Sequence, residues 1–156
     1  MRRPVVLAVA VGAGVVAVSD IAAAYTCAVS ATGVNFGVYN PLSGTPDDAT
    51  GTVTLTCNLP VGLFTSWTIA LGTGSGSYSP RLLKSGSHSL SYNLYTSAAH
   101  ANVWGDGSGA TTLVSDQATL VIGANINTYT VYGRIPVGQD AAAGSYLDTI
   151  VVTVNY

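Results

Sequence analysis

Glutamate is absent from the 156-residue sequence, lysine occurs once (Lys84), and the only methionine is residue 1. Charged residues make up 8% of the chain, against about 25% in an average protein. A charge-solvated disordered chain is excluded, because disorder needs high charge and low hydrophobicity. Here hydrophobic residues reach 48% and mean hydropathy is +0.42. A coiled coil is excluded too, since its composition rests on Ala, Glu, Lys, Leu and Arg. Helix surfaces are generally built from Glu and Lys, so their scarcity argues against helices. Net charge is −2, which leaves no basic footprint for nucleic acid. Thr, Ser, Val, Gly and Tyr fill the vacant positions, a composition suited to pleated sheets with polar, uncharged outer faces. The length is that of one domain.

The first residues read as an export signal. Arg2 and Arg3 give a positive start, residues 5–18 an apolar run, and Ala22-Ala23-Ala24 a small-x-small cleavage site, which places the cut after Ala24. The rival reading, a membrane anchor, needs about 18–20 apolar residues, and this run is shorter. A dinucleotide-like string from Gly12 to Ala17 lies inside the leader and follows no strand, so it carries no meaning. The mature chain would begin at Tyr25, with Arg81, Lys84 and Arg134 set against six aspartates. Its two cysteines, Cys27 and Cys57, favour a disulfide in an oxidising compartment. Metal binding by this pair, with no histidine close by, is the poorer alternative. A bridge closing a loop of about 30 residues stabilises a fold by roughly 3–4 kcal/mol.

Short alternating runs divided by Gly, Pro, Asn and Asp fill the remaining sequence, the pattern of strands and turns. Residues 27–30 read as a first strand. Over residues 33–39 the alternation sets Val34, Phe36 and Val38 on one side, and residues 40–50 read as a polar loop. Residues 52–57 read as a strand with Val53, Leu55 and Cys57 inward and Thr52, Thr54 and Thr56 outward. A disulfide would then tie the first strand to this one. Residues 67–71 form the next strand, and the glycine run 72–77 reads as a hairpin connection. In 90–96, Leu90, Tyr92 and Leu94 share a face. Residues 103–104, 111–122 and 129–137 are further β segments. Residues 145–156 read as one closing strand with Ile150, Val152, Val154 and Tyr156 on one face. No stretch keeps a helical period with caps. About seven strands in one domain over 25–156 fit an all-β antiparallel sandwich.

Candidates for catalysis are few, and the sequence reads as non-enzymatic. His88 and His100 sit in polar, turn-like contexts and read as surface residues. Without glutamate, a two-carboxylate site would need aspartates, and the adjacent pair Asp47-Asp48 should point apart. No serine is flanked as Gly-x-Ser-x-Gly. The glycine run 72–77 lacks the Lys-Ser/Thr of a phosphate loop. Asp106, within Gly105-Asp106-Gly107-Ser108-Gly109, offers one carboxylate where calcium takes six to eight oxygens, so a tight turn is the simpler reading. Nine tyrosines and two tryptophans could build a carbohydrate platform, although at strand spacing they pack as core or cross-strand pairs. No cofactor is implied.

The chain resembles the spore coat protein U domain family, which also covers pilin subunits of archaic chaperone–usher pili. The resemblance rests on Cys27-Ala28-Val29-Ser30, on Val34-Asn35-Phe36-Gly37-Val38-Tyr39 and on Gly51-Thr52-Val53 leading to Cys57. It continues through Leu90-Ser91-Tyr92-Asn93-Leu94-Tyr95, Val103-Trp104-Gly105-Asp106-Gly107 and Tyr132-Gly133-Arg134-Ile135-Pro136. It ends with the run from Gly144 to Tyr156. The resemblance implies an immunoglobulin-like sandwich lacking its last strand. A periplasmic chaperone, and then at an outer-membrane usher a neighbouring pilin-like subunit, would add a strand to the open edge. Alternation puts Val34, Phe36, Ile150, Val152, Val154 and Tyr156 in that groove. Five apolar donor side chains at ~1.5–3 kcal/mol each would make the missing strand worth roughly 8–15 kcal/mol. The implied location is the periplasm, then a surface fibre or coat. A donating arm needs about ten residues, and only Tyr25 and Thr26 precede Cys27 in the expected mature chain. The expectation is therefore a subunit that accepts a strand without giving one, as at a fibre tip. The alternative is a stand-alone secreted sandwich that binds, for example, glycan.

Overall fold

The computed structural model describes residues 26–59 and 63–156. The expected leader, with Ala22 and Ala24 at its cleavage site, lies outside the described residues. The described residues form ten strands: β1 Thr26–Thr32, β2 Asp47–Leu59, β3 Leu63–Leu71, β4 Arg81–Ser85, β5 His88–Tyr95, β6 Val103–Trp104, β7 Thr111–Thr112, β8 Val114–Leu120, β9 Gly123–Ile135 and β10 Val152–Asn155. They make two open sheets, one ordered β1-β2-β9-β5-β6-β7 with β4 joined to β5, the other β10-β3-β8. All pairings are antiparallel except β6 with β7. This is an all-β, immunoglobulin-like sandwich.

Alternation fixes which side chains enter the core. Val53, Leu55 and Cys57 of β2 are buried together with Leu90, Tyr92 and Leu94 of β5 and Val131 and Ile135 of β9. Trp67, Ile69 and Leu71 of β3 meet them from the smaller sheet. The threonines between the inward residues of β2 face outward, where Thr54 Oγ1 lies 3.3 Å from Thr128 Oγ1 on β9. Cys27 and Cys57 are direct partners across β1 and β2 and form a disulfide. Trp104 is fully buried and donates its indole N–H to the Ile69 carbonyl at 2.9 Å.

Four expectations need correction. The stretch 40–50 is not wholly loop: β2 begins at Asp47, because its ladder with β9 runs on to Ile135 and is held there by Asp48 and Arg134. The glycine run 72–77 is not a hairpin, since β3 pairs with β8 and β10 while β4 pairs with β5. It carries the chain from one sheet to the other. Residues 33–39 do not alternate throughout. Gly37 adopts φ 73°, a left-handed geometry that glycine takes at little cost; past it Val38 is 94% exposed while Tyr39 packs on the core. Finally, residues 145–156 are not one strand. Regular pairing is confined to β10, and Asp148 interrupts the approach by accepting the amides of Ser75 at 2.8 Å and Thr149 at 2.9 Å. Side-chain bonds of this kind compete with a ladder.

Candidate functional site

The sandwich is open along one side. β10 pairs with β3 alone, and β1 pairs with β2 alone, so among the described residues each keeps one edge without a strand. Between them lies a hollow of about 200 Å³. Its floor is Val53, Leu71, Tyr92, Leu94 and Val131, and its walls are Val34 and Phe36 on one side and Ile150 and Val152 on the other. An apolar cavity of about 150 Å³ can admit benzene, so this one has room for a bulky apolar side chain. The opening continues into a groove of about 980 Å³ between residues 33–39 and residues 141–148. Val34, Phe36, Leu83 and Asp148 line both spaces.

The segment from Gly33 to Tyr39 is a strap laid across this opening. Val34 and Phe36 reach inward because Gly133 beneath them has no side chain: a Cβ there would meet Phe36 Cζ and Val34 Cγ1, each at 2.7 Å. Phe36 meets the Tyr92 ring edge-on, with centroids 6.0 Å apart. The strap is tied at its far end by the Tyr39 hydroxyl, which donates to the Pro136 carbonyl at 3.2 Å and accepts the Gln139 amide at 3.0 Å. Gln139 in turn brackets Ser91, accepting from its N–H at 2.7 Å and donating to its carbonyl at 2.8 Å. Between Val34 and Val38 no backbone group bonds to another backbone group among the described residues. Gly37 N donates to Asn35 Oδ1 at 3.0 Å. The opposite wall is equally sparse: Leu147 bridges Lys84 and Val151 O accepts from Gly72 N, and between them Thr149 and Ile150 have no backbone partner among the described residues. The opening is thus flanked by two stretches of unpaired backbone, which is the geometry that an added strand satisfies.

Behind the hollow, polar groups are closely partnered. Arg81 is fully buried. Its guanidinium donates to Asn93 Oδ1 at 2.7 Å and to the carbonyls of Gly72, Leu71 and Trp104 at 2.9, 3.3 and 2.7 Å, so one side chain fastens β3 to β5 and β6. Tyr92 donates its hydroxyl to Asp148 Oδ2 at 2.7 Å. Burial first, and then the Asp148 carboxylate, pushes the Tyr92 phenol well above its ordinary range. Further along the core, Trp67 donates to the Tyr129 hydroxyl at 2.6 Å and Tyr129 to Asp116 at 2.9 Å. Burial and then Asp116 push Tyr129 up to about 12.

The sequence-derived groove residues separate into three groups. Val34, Phe36, Ile150 and Val152 come together in the hollow. Val154 is half-buried and packs on the core one turn of alternation further along β10. Tyr156 lies elsewhere, 53% exposed, beside a shallow cleft with Trp67 and Asp116. Leu83 and Asp148 were not foreseen. The short apolar pair Leu82-Leu83 between Ser/Pro and Ser/Gly turns was the available signal for Leu83; Asp148 has none in the pattern alone. His88 is exposed, but His100 is not a surface residue. Its side chain is 9% exposed, 3.8 Å from Asp48 and edge-on to Tyr95 at 5.0 Å, because φ 52° at this position folds it inward. Asp106 Oδ1 accepts from Ser108 N at 2.9 Å and Ser108 Oγ at 2.6 Å, closing a tight turn. Asp47 and Asp48 face different partners across the ladder, Ile135 and Arg134.

Known proteins are similar to this chain in sequence or in fold. Protein U of Myxococcus xanthus is 29% identical over 137 residues, which is 79% of this chain and 71% of that protein. The fold is similar to a chain in the crystal structure of the CsuC–CsuE chaperone–tip adhesion subunit pre-assembly complex from archaic chaperone–usher Csu pili of Acinetobacter baumannii. There the TM-score is 0.58 at 23% identity, over 85% of this chain and 40% of that one. The chain thus spans less than half the length of that solved relative, and the likeness is one of fold. A family model described as the Spore Coat Protein U domain matches residues 13–153, so this chain belongs to the Spore Coat Protein U domain family.

Proposed function

We propose that the chain is a non-catalytic structural subunit of a surface fibre or coat, exported through the periplasm and completed by a strand from another polypeptide. The observation that carries this reading is the apolar hollow flanked on both sides by unpaired backbone. A periplasmic chaperone would fill it first, and a neighbouring subunit would replace that strand at an outer-membrane usher. Apolar side chains of the incoming strand enter the hollow while its backbone bonds to the strap and to the approach to β10. The test is purification without any chaperone. Aggregates or strand-swapped oligomers are expected, and co-expression with the cognate chaperone should yield a soluble one-to-one complex. A soluble, cooperatively unfolding monomer with no affinity for the chaperone would instead identify a stand-alone secreted module.

The finer reading is a place at the fibre tip. At the end of the sandwich away from the tied end of the strap, Phe64, Val121, Ile122 and Ile126 are exposed. No charged residue occurs in 58–66 or 117–127. An uncharged apolar end of this kind marks an interaction surface, and its position leaves it outside the strand-accepting opening. Replacing Phe64 and Ile122 together by Ser should leave chaperone capture unchanged and weaken adhesion of cells bearing the fibre; unchanged adhesion would remove the tip assignment.

A further inference from the structure

We infer that Asp148 sets the register of the incoming strand by requiring a hydrogen-bond-donating hydroxyl side chain at the position that faces it. The inference rests on the strand-accepting reading above. Asp148 stands where the hollow meets the outer groove, and among the described residues it is the only charged side chain lining either space. Its Oδ1 takes two amides, Ser75 N and Thr149 N, and its Oδ2 takes the Tyr92 hydroxyl alone. A carboxylate has about four acceptor sites, so one remains on the wall of the slot.

An occupant that is apolar at every inward position would strip water from that last site and return nothing. Leaving a buried charged group short of a partner costs more than leaving a neutral one. The cost is concentrated at this one position, since the other polar side chains lining the hollow are hydroxyls already partnered, Thr32 with Thr52 and Tyr92 with Asp148 itself. It therefore discriminates between registers, in a slot where a strand slipped by two residues would otherwise present the same apolar face.

A threonine scan of an alternating valine peptide separates the possibilities, because Thr and Val have the same shape and differ in one polar group. Binding of each peptide to the purified wild-type chain is measured by calorimetry. Threonine at one inward position should tighten binding about tenfold, and at every other inward position it should weaken binding by a similar factor. In Asp148→Asn, the tightening at that one position should shrink to under about threefold. Uniform weakening along the wild-type scan, with the all-valine parent still bound, overturns the register role and leaves strand acceptance standing. Failure of the parent peptide to bind overturns strand acceptance and this inference with it. The wild-type scan decides the matter even where Asp148→Asn folds poorly.

Discussion

At Gly133 the fit of the strap against the large sheet is decided by one missing methyl group. Gly133→Ala would force its Cβ against Val34 Cγ1 and Phe36 Cζ at 2.7 Å, and overpacking of this kind costs about 1–3 kcal/mol. The expected result is a lower urea midpoint with an unchanged slope; an unchanged midpoint would show that the strap yields freely. A second residue-scale effect concerns acid. Arg134 grips Asp48 with two bonds of 2.7 Å and holds its carboxyl below the usual range, against a smaller opposing effect of burial. A carboxylate with a lowered folded-state value stabilises the protein above its unfolded value of about 3.9 and loses that contribution as pH falls further. Asp48 is 44% exposed, so Asp48→Asn should cost under about 1 kcal/mol at neutral pH. Urea midpoints at neutral pH and in increasingly acid buffer should show the difference from wild type shrinking once the pH falls below about 3.9; a constant difference would point away from the ion pair. Residues like these mark the limit of sequence reading. His100 looked like a surface histidine because its neighbours are small and polar, and only the left-handed turn at its own backbone brings it against Tyr95 and Asp48.

Among the elements, β2 and the inner face of β5 were legible because alternation and burial coincide there for several residues in succession. The cross-strand disulfide was legible for a related reason: Cys27 and Cys57 each lie on an alternating run, and they are the sequence's two cysteines. The strap and the last strand were only half legible. Val34 and Phe36 keep alternation, but the left-handed backbone at Gly37 breaks it, and period-two reasoning cannot foresee a left-handed residue inside a β-like run. In residues 145–151 the apolar pattern persists while Asp148 spends its bonding on Ser75, Thr149 and Tyr92, so a strand-like sequence forms no ladder. Two predictions belong at this scale. Removing the bridge between β1 and β2 with Cys57→Ser together with Cys27→Ser should lower stability by roughly 2–4 kcal/mol, read from denaturant unfolding, and should leave the register of β2 with β9 intact by amide exchange. Val152→Asp places a charge in the wall of the hollow at the first residue of β10. It should abolish capture by a periplasmic chaperone while export across the inner membrane continues. Unchanged co-purification with the chaperone would move the accepting edge away from β10.

For the whole molecule, the open hollow means that the two sheets hold together with part of their facing surface still unfilled. Typical domains are stable by only 5–15 kcal/mol, and a complementing strand burying about five apolar side chains is worth a comparable amount. On the strand-accepting proposal, folding and assembly are linked: whatever occupies the slot binds the native state and not the unfolded chain. At a hundred times its dissociation constant such a ligand adds about 2.7 kcal/mol, which for a domain of this size raises the melting temperature by roughly 10 °C. An alternating apolar peptide of about ten residues should produce that rise in calorimetry, with a dependence on peptide concentration that follows mass action. A peptide of the same composition with its apolar residues grouped instead of alternating cannot turn them all toward the hollow and should produce a much smaller rise. Equal shifts from both peptides would mean that they coat the exposed apolar turns at the far end instead of entering between the sheets. In that case Phe64→Ser with Ile122→Ser should abolish the shift, whereas Val152→Asp should leave it in place. The opposite pattern, loss with Val152→Asp alone, is the one that a strand seated beside β10 requires.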